Sequence, residues 1–341
     1  MASYLHFDIL VAIVHYCSKH ELLALRLTNK AFSDASEYFL YRNISFDFYA
    51  KTMTEAESTF FRIRGLYEQL RLDGEKAAMV RRLEVREMNH LTVSPACVVP
   101  SFIPIRHRAS THDYDSFSSA DSAPEPEPRD QLVMVQLSVA ALLSVLPSLE
   151  VFHIAGTKKL GNHLAPLEVL EYATCPALKE FRLEISRDSS WFPIRPTLAG
   201  FLERHPQLTD ITLEIEQPTG RGLLSNADRL FPQEVETITL IATYLPQLEE
   251  LELRHTDLTY KLPLVPERIE AFASALSSFK TLQCLTYRWS GHGRIQTMAD
   301  RTEAIDRATV SSRGRACPTL TYCSLYGSVW ERMDTSWVYS C

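Results

Sequence analysis

Along the second half of the chain, apolar and polar positions alternate in short bursts, and each burst follows a run with helical periodicity. The stretch from Leu245 to Leu253 shows the motif most fully: a helical segment ends, the chain turns at Pro246, and it leaves in strict alternation. The pattern is Pro-x-Leu-x-x-apolar-x-apolar. Pro147-x-Leu149 leads to Phe152 and Ile154, Pro176-x-Leu178 to Phe181 and Leu183, and Pro206-x-Leu208 to Ile211 and Leu213. Pro246-x-Leu248 leads to Leu251 and Leu253, and Pro318-x-Leu320 to Cys323 and Leu325. Leu282 leads to Leu285 and Tyr287 without the proline, and an early, weaker copy carries Val80, Leu83 and Val85. Alternation at period two predicts a strand with one buried face. The preceding runs place Val235, Ile238, Ala242 and Leu245 on one helix face, and Ile269, Phe272, Ala273 and Leu276 on another. Pro166, Pro196, Pro232 and Pro266 stand where a first helical turn is expected, and there the missing N–H costs nothing. Pro176, Pro206 and Pro246 stop the helices before them.

The leading leucines from Leu149 onward lie 29, 30, 40, 34 and 38 residues apart. A lone helix–strand pair cannot bury its apolar face, so units recurring at such intervals are expected to stack as a solenoid. The pattern resembles leucine-rich repeats of the long, irregular sort. It departs from them in lacking an Asn or Cys after the strand and in exceeding their usual spacing of roughly 20–29 residues. The alternative is an ordinary α/β domain whose strands begin alike.

Residues 1–46 read differently. One short amphipathic helix carries Ile9, Leu10, Ile13, Val14 and Cys17. Ser18 to Glu21 has the form of a capping box, which starts a second helix with Leu22, Leu23, Leu25 and Leu27. A third runs through Phe32 toward Phe39, Leu40 and Tyr41. Three helices this short cannot bury all these leucines alone, so part of the surface is expected to face a partner. The ordered set Leu5, Asp8, Ile9, Leu10, Ile13, then Glu21-Leu22-Leu23, Arg26, Asn29-Lys30, Phe32 and Leu40-Tyr41-Arg42 resembles the F-box. His6 stands where proline is usual, Asp8 for glutamate and Phe32 for the common tryptophan. The resemblance implies docking on a SKP-family adaptor, and through it on a cullin–RING ligase. Leu5, Ile9, Leu10, Ile13, Leu22, Leu23 and Leu25 are the candidate contacts, some of them internal. The alternative is a helical cap on the end of the solenoid.

Residues 47–341 are then expected to form the leucine-rich-repeat-like solenoid. Thr54 to Leu72 reads as a helix, with the first strand near Leu83 to Val85. Residues 106–130 hold three prolines, many serines, and three arginines against six acids, a net charge of -3. Such a stretch is expected to stay extended and solvated, as an insertion between the first two repeats. Residues 131–146 form a strongly apolar helical run. The last residues, 325–341, are expected to form a capping hairpin that turns near Asp334, with Trp330 and Trp337 paired across it.

Composition narrows the chemistry. A net charge of -7 disfavours nucleic acid as the main partner. No apolar run reaches the roughly 20 residues of a membrane span, and no signal-peptide pattern opens the chain. Seven cysteines without a Cys-x-x-Cys read as reduced thiols, hence a cytoplasmic or nuclear setting. If Leu149 and its equivalents point inward, the intervening strand positions form an open, concave face. That face collects Glu180, Arg182, Glu184, Asp210, Glu214, Glu250, Glu252, Arg254 and Arg288, flanked by Arg82, Glu84 and Arg86 on one side and by Cys284, Thr286, Tyr322, Ser324 and Tyr326 on the other. Val151, His153, Ala155 and Thr212 fall on it too. An excess of acids there suits a protein substrate with a basic patch. Its paired carboxylates, Glu180 with Glu184 and Glu250 with Glu252, are solvated and poorly suited to acid–base catalysis. No Gly-x-Ser-x-Gly elbow occurs, and the glycines around Gly220 and Gly291 lack the lysine and length of a phosphate loop. His15, Cys17 and His20 do not share a helix face, so no metal or other cofactor is expected. The reading is therefore a non-catalytic substrate-recognition subunit of an SCF-type ubiquitin ligase. The alternatives are a repeat scaffold outside ubiquitin transfer and, from another class, a hydrolase with an unrecognised triad.

Overall fold

Pro147, Pro176, Pro206, Pro246 and Pro318 each take the second position of a tight turn, the place that their fixed φ favours. The backbone N–H three residues beyond the turn's first residue closes each one: Leu149 to Leu146, Leu178 to Cys175, Leu208 to His205, Leu248 to Leu245 and Leu320 to Cys317. Where no proline is present, Phe279 closes the same turn on Leu276, and Leu282 follows three residues later. Every strand start is then tied to the unit before it. The N–H groups of Lys179 and Glu180 both reach the Glu150 carbonyl, Thr209 and Asp210 reach Lys179, Glu249 and Glu250 reach Thr209, and Gln283 and Cys284 reach Glu249.

The computed structural model describes residues 7–47, 53–88, 139–156, 165–185, 194–215, 227–255, 266–289, 303–325 and 328–340. The expected insertion at 106–130 lies outside them. The described residues form a mixed α/β structure. Three helices, α1 (Phe7–Val14), α2 (Lys19–Leu25) and α3 (Lys30–Arg42), precede strand β1 (Asn43–Asp47). Helices α4 (Met53–Leu72) and α5 (Gly74–Met79) lead to β2 (Arg82–Met88), and α6 (139–144) leads to β3 (Val151–Gly156). Helix and strand then alternate: α7 (Ala165–Tyr172), β4 (Glu180–Ile185), α8 (Ile194–Arg204), β5 (Asp210–Ile215), α9 (Ala227–Tyr244), β6 (Glu250–His255), α10 (Pro266–Leu276), β7 (Cys284–Trp289), α11 (Glu303–Ala316) and β8 (Tyr322–Leu325). The chain closes with β9 (Ser328–Met333) and β10 (Ser336–Ser340).

All ten strands belong to one sheet in chain order, β1 to β10. Neighbours from β1 to β8 are parallel, and β9 and β10 are antiparallel additions. The registers align equivalent positions: Phe152 with Phe181, Phe181 with Ile211, Ile211 with Leu251 and Leu251 with Leu285. One face of the sheet is therefore a continuous apolar row. Leu83, Phe152, Phe181, Leu285 and Cys323 in that row have no exposed surface. Leading residues Val80, Leu149, Leu178, Leu208, Leu248, Leu282 and Leu320 are equally buried beside it. At about 1.5–3 kcal/mol for each large side chain removed from water, this row and the helices on it supply the main stabilisation.

Several sequence expectations change. The helical segment ends at Arg42, not residue 46, because Ile44 and Phe46 pair with Leu83 and Val85 as the first strand. Helix α9 begins at Ala227, so Pro232 stands in its second turn and forfeits one backbone bond there. The terminal hairpin forms and covers the edge of β8, but Trp330 faces Tyr339 and Trp337 faces Arg332. The two-residue loop fixes that register. Its first residue, Asp334, has a φ of 54°, the left-handed value that a tight hairpin turn requires. Both indoles lie on the same side of the hairpin, offset diagonally, and both are buried. Among the described residues, no helix is long and apolar enough to cross a membrane.

Candidate protein-interaction surfaces

The first candidate surface is built by α1, α2 and α3. Ser18 caps α2 reciprocally with Glu21, Ser18 N donating to the Glu21 carboxylate at 2.6 Å and Glu21 N to Ser18 Oγ at 3.4 Å. Asn29 caps α3 by accepting from Phe32 N at 3.0 Å. These caps fix where the helices cross, and the small core between them holds Leu10, Val14, Leu22 and Ala35. Leu10 and Leu22 are thus internal, which corrects their assignment as partner contacts: each is needed to join its helix to the others. Leu25 packs partly against the same core. Ile9, Ile13 and Leu23 remain about half exposed, at 49%, 44% and 48%. They are joined by Tyr16 and Leu27, both 88% exposed, which the motif comparison did not single out. Ile9 and Ile13 stand one turn apart on α1, with Tyr16 in the turn just beyond it, and Leu23 stands on α2, with Leu27 in the turn that follows. Leu5 lies outside the described residues. Among the described residues no set of His, Cys, Asp and Glu side chains is arranged to hold a metal ion. His15 packs against Phe39, and the Cys17 thiol donates to the Ile13 carbonyl.

The unit is tied to the sheet without a break. Arg42 ends α3, β1 follows at once, and the Arg42 carbonyl accepts from Arg81 N at 3.0 Å. Glu37 of α3 pairs with Arg26 and, at 4.0 Å, with Lys76 of α5. Gln69 of α4 donates to the Tyr41 hydroxyl at 2.6 Å.

The second candidate surface is the sheet face opposite the apolar row. Registers place Glu180, Asp210 and Glu250 side by side on β4, β5 and β6, then Arg182, Thr212 and Glu252, then Glu184, Glu214 and Arg254. Arg288 of β7 stands beside Arg254. The arginines lie among the acids of the face and pair with those of its second and third rows. Arg182 pairs with Glu184 at 2.5 Å and Glu214 at 3.3 Å. Arg254 donates to Glu252 at 2.9 Å and lies 3.7 Å from Glu214, while Arg288 is 3.1 Å from Glu252. Arg82 and Arg86 flank Glu84 in the same way, at 2.8 and 2.5 Å. Burial works against ionisation of Glu184, but His153 at 3.0 Å and the nearby arginines hold its carboxyl below the ordinary range. Glu84 is likewise held low by its two arginines against partial burial.

The first row behaves differently. The Glu250 carboxyl is pushed up, first by partial burial and then by Asp210, Glu249, Glu180 and Glu252. Among the described residues no ion pair reaches Glu180, Asp210 or Glu250, so negative charge gathers where these strands begin. Four positions expected to face water do not: His153, Ala155, Thr286 and Ser324 are buried. Ala155, Thr286 and Ser324 are short side chains and His153 is bonded to Glu184, and none of the four lies on an edge strand. Tyr326 lies outside the described residues. No protein-family model matches the chain, and no curated protein matches it in sequence.

Proposed function

We propose that the chain is the substrate-recognition subunit of an SCF-type ubiquitin ligase. In this reading residues 7–42 act as a degenerate F-box that docks a SKP-family adaptor. The strand–helix units act as an irregular leucine-rich-repeat solenoid that holds a protein substrate. The observation that carries it is the split of leucine and isoleucine positions in the first two helices. Leu10 and Leu22 close a core of their own, while Ile9, Ile13 and Leu23 are left to solvent. Apolar side chains left exposed on helices that are anchored through a core of their own suit burial against another protein. The chain's role is then positional. Held on the sheet face, a substrate meets the charged conjugating enzyme at high effective concentration, without chemistry by this chain. The acidic start of β4–β6 favours a substrate segment rich in Lys or Arg.

The test is co-purification with a SKP-family adaptor, wild type against Ile9→Asp/Leu23→Asp. Both sites are exposed, so the double variant keeps the circular dichroism and melting temperature of the wild type. Leu22→Asp serves as the contrast, placing a carboxylate in the small core and unfolding the helices. Binding by wild type and its loss in the folded double variant support the ligase reading. A folded wild type that captures no adaptor leaves the helices as an end cap and the protein as a repeat scaffold.

A further inference from the structure

Strand β10 is the last strand of the sheet, hydrogen-bonded on one side to β9. Its sequence is Ser-Trp-Val-Tyr-Ser, with no charge and no proline, the two devices that most often blunt a sheet edge. Val338 is 46% exposed on one side of the strand and Tyr339 44% on the other. The opposite edge of the sheet, β1, takes packing from α3 and α4 and ends in Asp47. The hairpin closes on the pair Met333 and Ser336, so alternation turns the peptide groups of Trp337 and Tyr339 away from β9.

We propose that β10 is a homotypic pairing edge: two copies of this chain join by antiparallel β10–β10 addition about a two-fold axis at Val338. The occupant follows from self-complementarity. In an isologous pair centred on Val338, that residue faces its own mate, Trp337 faces Tyr339 of the second copy in both directions, and Ser336 faces Ser340. The outward peptide groups of Trp337 and Tyr339 then form the hydrogen-bonded pairs, and Val338 occupies the closer, non-bonded position. Each aromatic pair falls on the side already carrying Trp330, and no like charges are brought opposite one another. The contact is small, so the association is weak. It does not rest on the ligase reading, and the hairpin lies at the far end of the sheet from α1 and α2.

The experiment is equilibrium sedimentation in reducing buffer, so that no disulfide joins two chains. The chain is held at about 100 µM, because an interface below the standard roughly 1,600 Å² associates weakly. The wild type is expected to approach twice its 38.9 kDa mass. Val338→Lys and Val338→Glu each set like charges face to face and halve that mass, with unchanged circular dichroism and tryptophan emission. An equimolar mixture of the two regains the doubled mass, because Lys then faces Glu. A wild type that stays at 38.9 kDa, or a Val338→Lys variant that still doubles, overturns the proposal. A mixture that stays single overturns the two-fold axis at Val338.

Discussion

His205 Nε2 accepts the backbone N–H of Cys175 at 2.9 Å, so the turn that ends α8 is bonded to the turn that ends α7. The other ring nitrogen, Nδ1, donates to the Phe201 carbonyl at 2.7 Å. Both bonds require the neutral ring with its proton on Nδ1. The residue is fully buried, and its ring lies 4.2 Å from that of Phe201. Burial, with a smaller contribution from Arg204, holds its pKa below the ordinary histidine value. The unfolded chain therefore binds the proton more readily than the folded one. The stabilisation is complete above the unfolded pKa of about 6.5 and is lost as pH falls from there toward the folded value. Urea titrations across this window should show a steeper loss for wild type than for His205→Ala. At neutral pH that variant is weaker by about 2–4 kcal/mol, since it opens a cavity and leaves the Cys175 N–H unpaired. Equal slopes in the two proteins would remove His205 as the source.

Gly314 on α11 lies directly under the indole of Trp337. A Cβ at this position would stand 2.6 Å from Nε1 and 2.8 Å from Cζ2 of the ring. Gly314→Ala gains about 1 kcal/mol of helix propensity but forces the indole off its seat, an overpacking cost of about 1–3 kcal/mol. The expected net result is a less stable protein with red-shifted tryptophan emission and a hairpin more readily cut by protease. In a Trp337→Ala background the obstacle is gone, and the same change should stabilise by about 1 kcal/mol. A double-mutant cycle that shows no coupling between the two positions would refute the account.

What the sequence revealed, and what it hid, follows from how far each signal reaches. The Pro-x-Leu turn and the alternation after it are local, and they placed β3 to β8 within a residue. Strand β1 has only Ile44 and Phe46 as apolar positions and follows α3 with no turn between, so its pairing partners in β2 were needed to reveal it. Which of the first seven leucines and isoleucines face inward depends on how three helices cross, and periodicity cannot decide that for segments of seven or eight residues such as α1 and α2. The Trp330 register depended on the loop at Asp334 being two residues long. On the open face, alternation identified the side but not the neighbours. The ion pairs of Arg182 with Glu214 and of Arg288 with Glu252 cross between strands about 30–40 residues apart in sequence, and only the parallel register brings them together.

That register also produces a strain on the open face that can be measured. Glu180, Asp210 and Glu250 are direct neighbours across β4, β5 and β6. Like charges set opposite one another destabilise a sheet, and the Glu250 carboxyl responds with a raised pKa, burial first and its acidic neighbours after. A carboxylate with a folded pKa above its unfolded value lowers stability once both states ionise, and the penalty disappears as pH falls through the folded value. Glu250→Gln should therefore raise the melting temperature at pH 7, leave it nearly unchanged near pH 4, and in about 1 M salt, where screening acts within roughly 3 Å, lose the part of its benefit that comes from the acidic neighbours and keep the part that comes from burial. Glu252→Gln is the informative control. Glu252 sits against Arg254 and Arg288, so neutralising it removes attraction instead of repulsion and should lower stability at pH 7. Thermal melts of both variants at the two pH values decide between a face strained by its first acidic row and one whose charges are balanced throughout. The second outcome, with Glu250→Gln neutral or destabilising at pH 7, would also remove the basis for a Lys- or Arg-rich partner at that end of the strands.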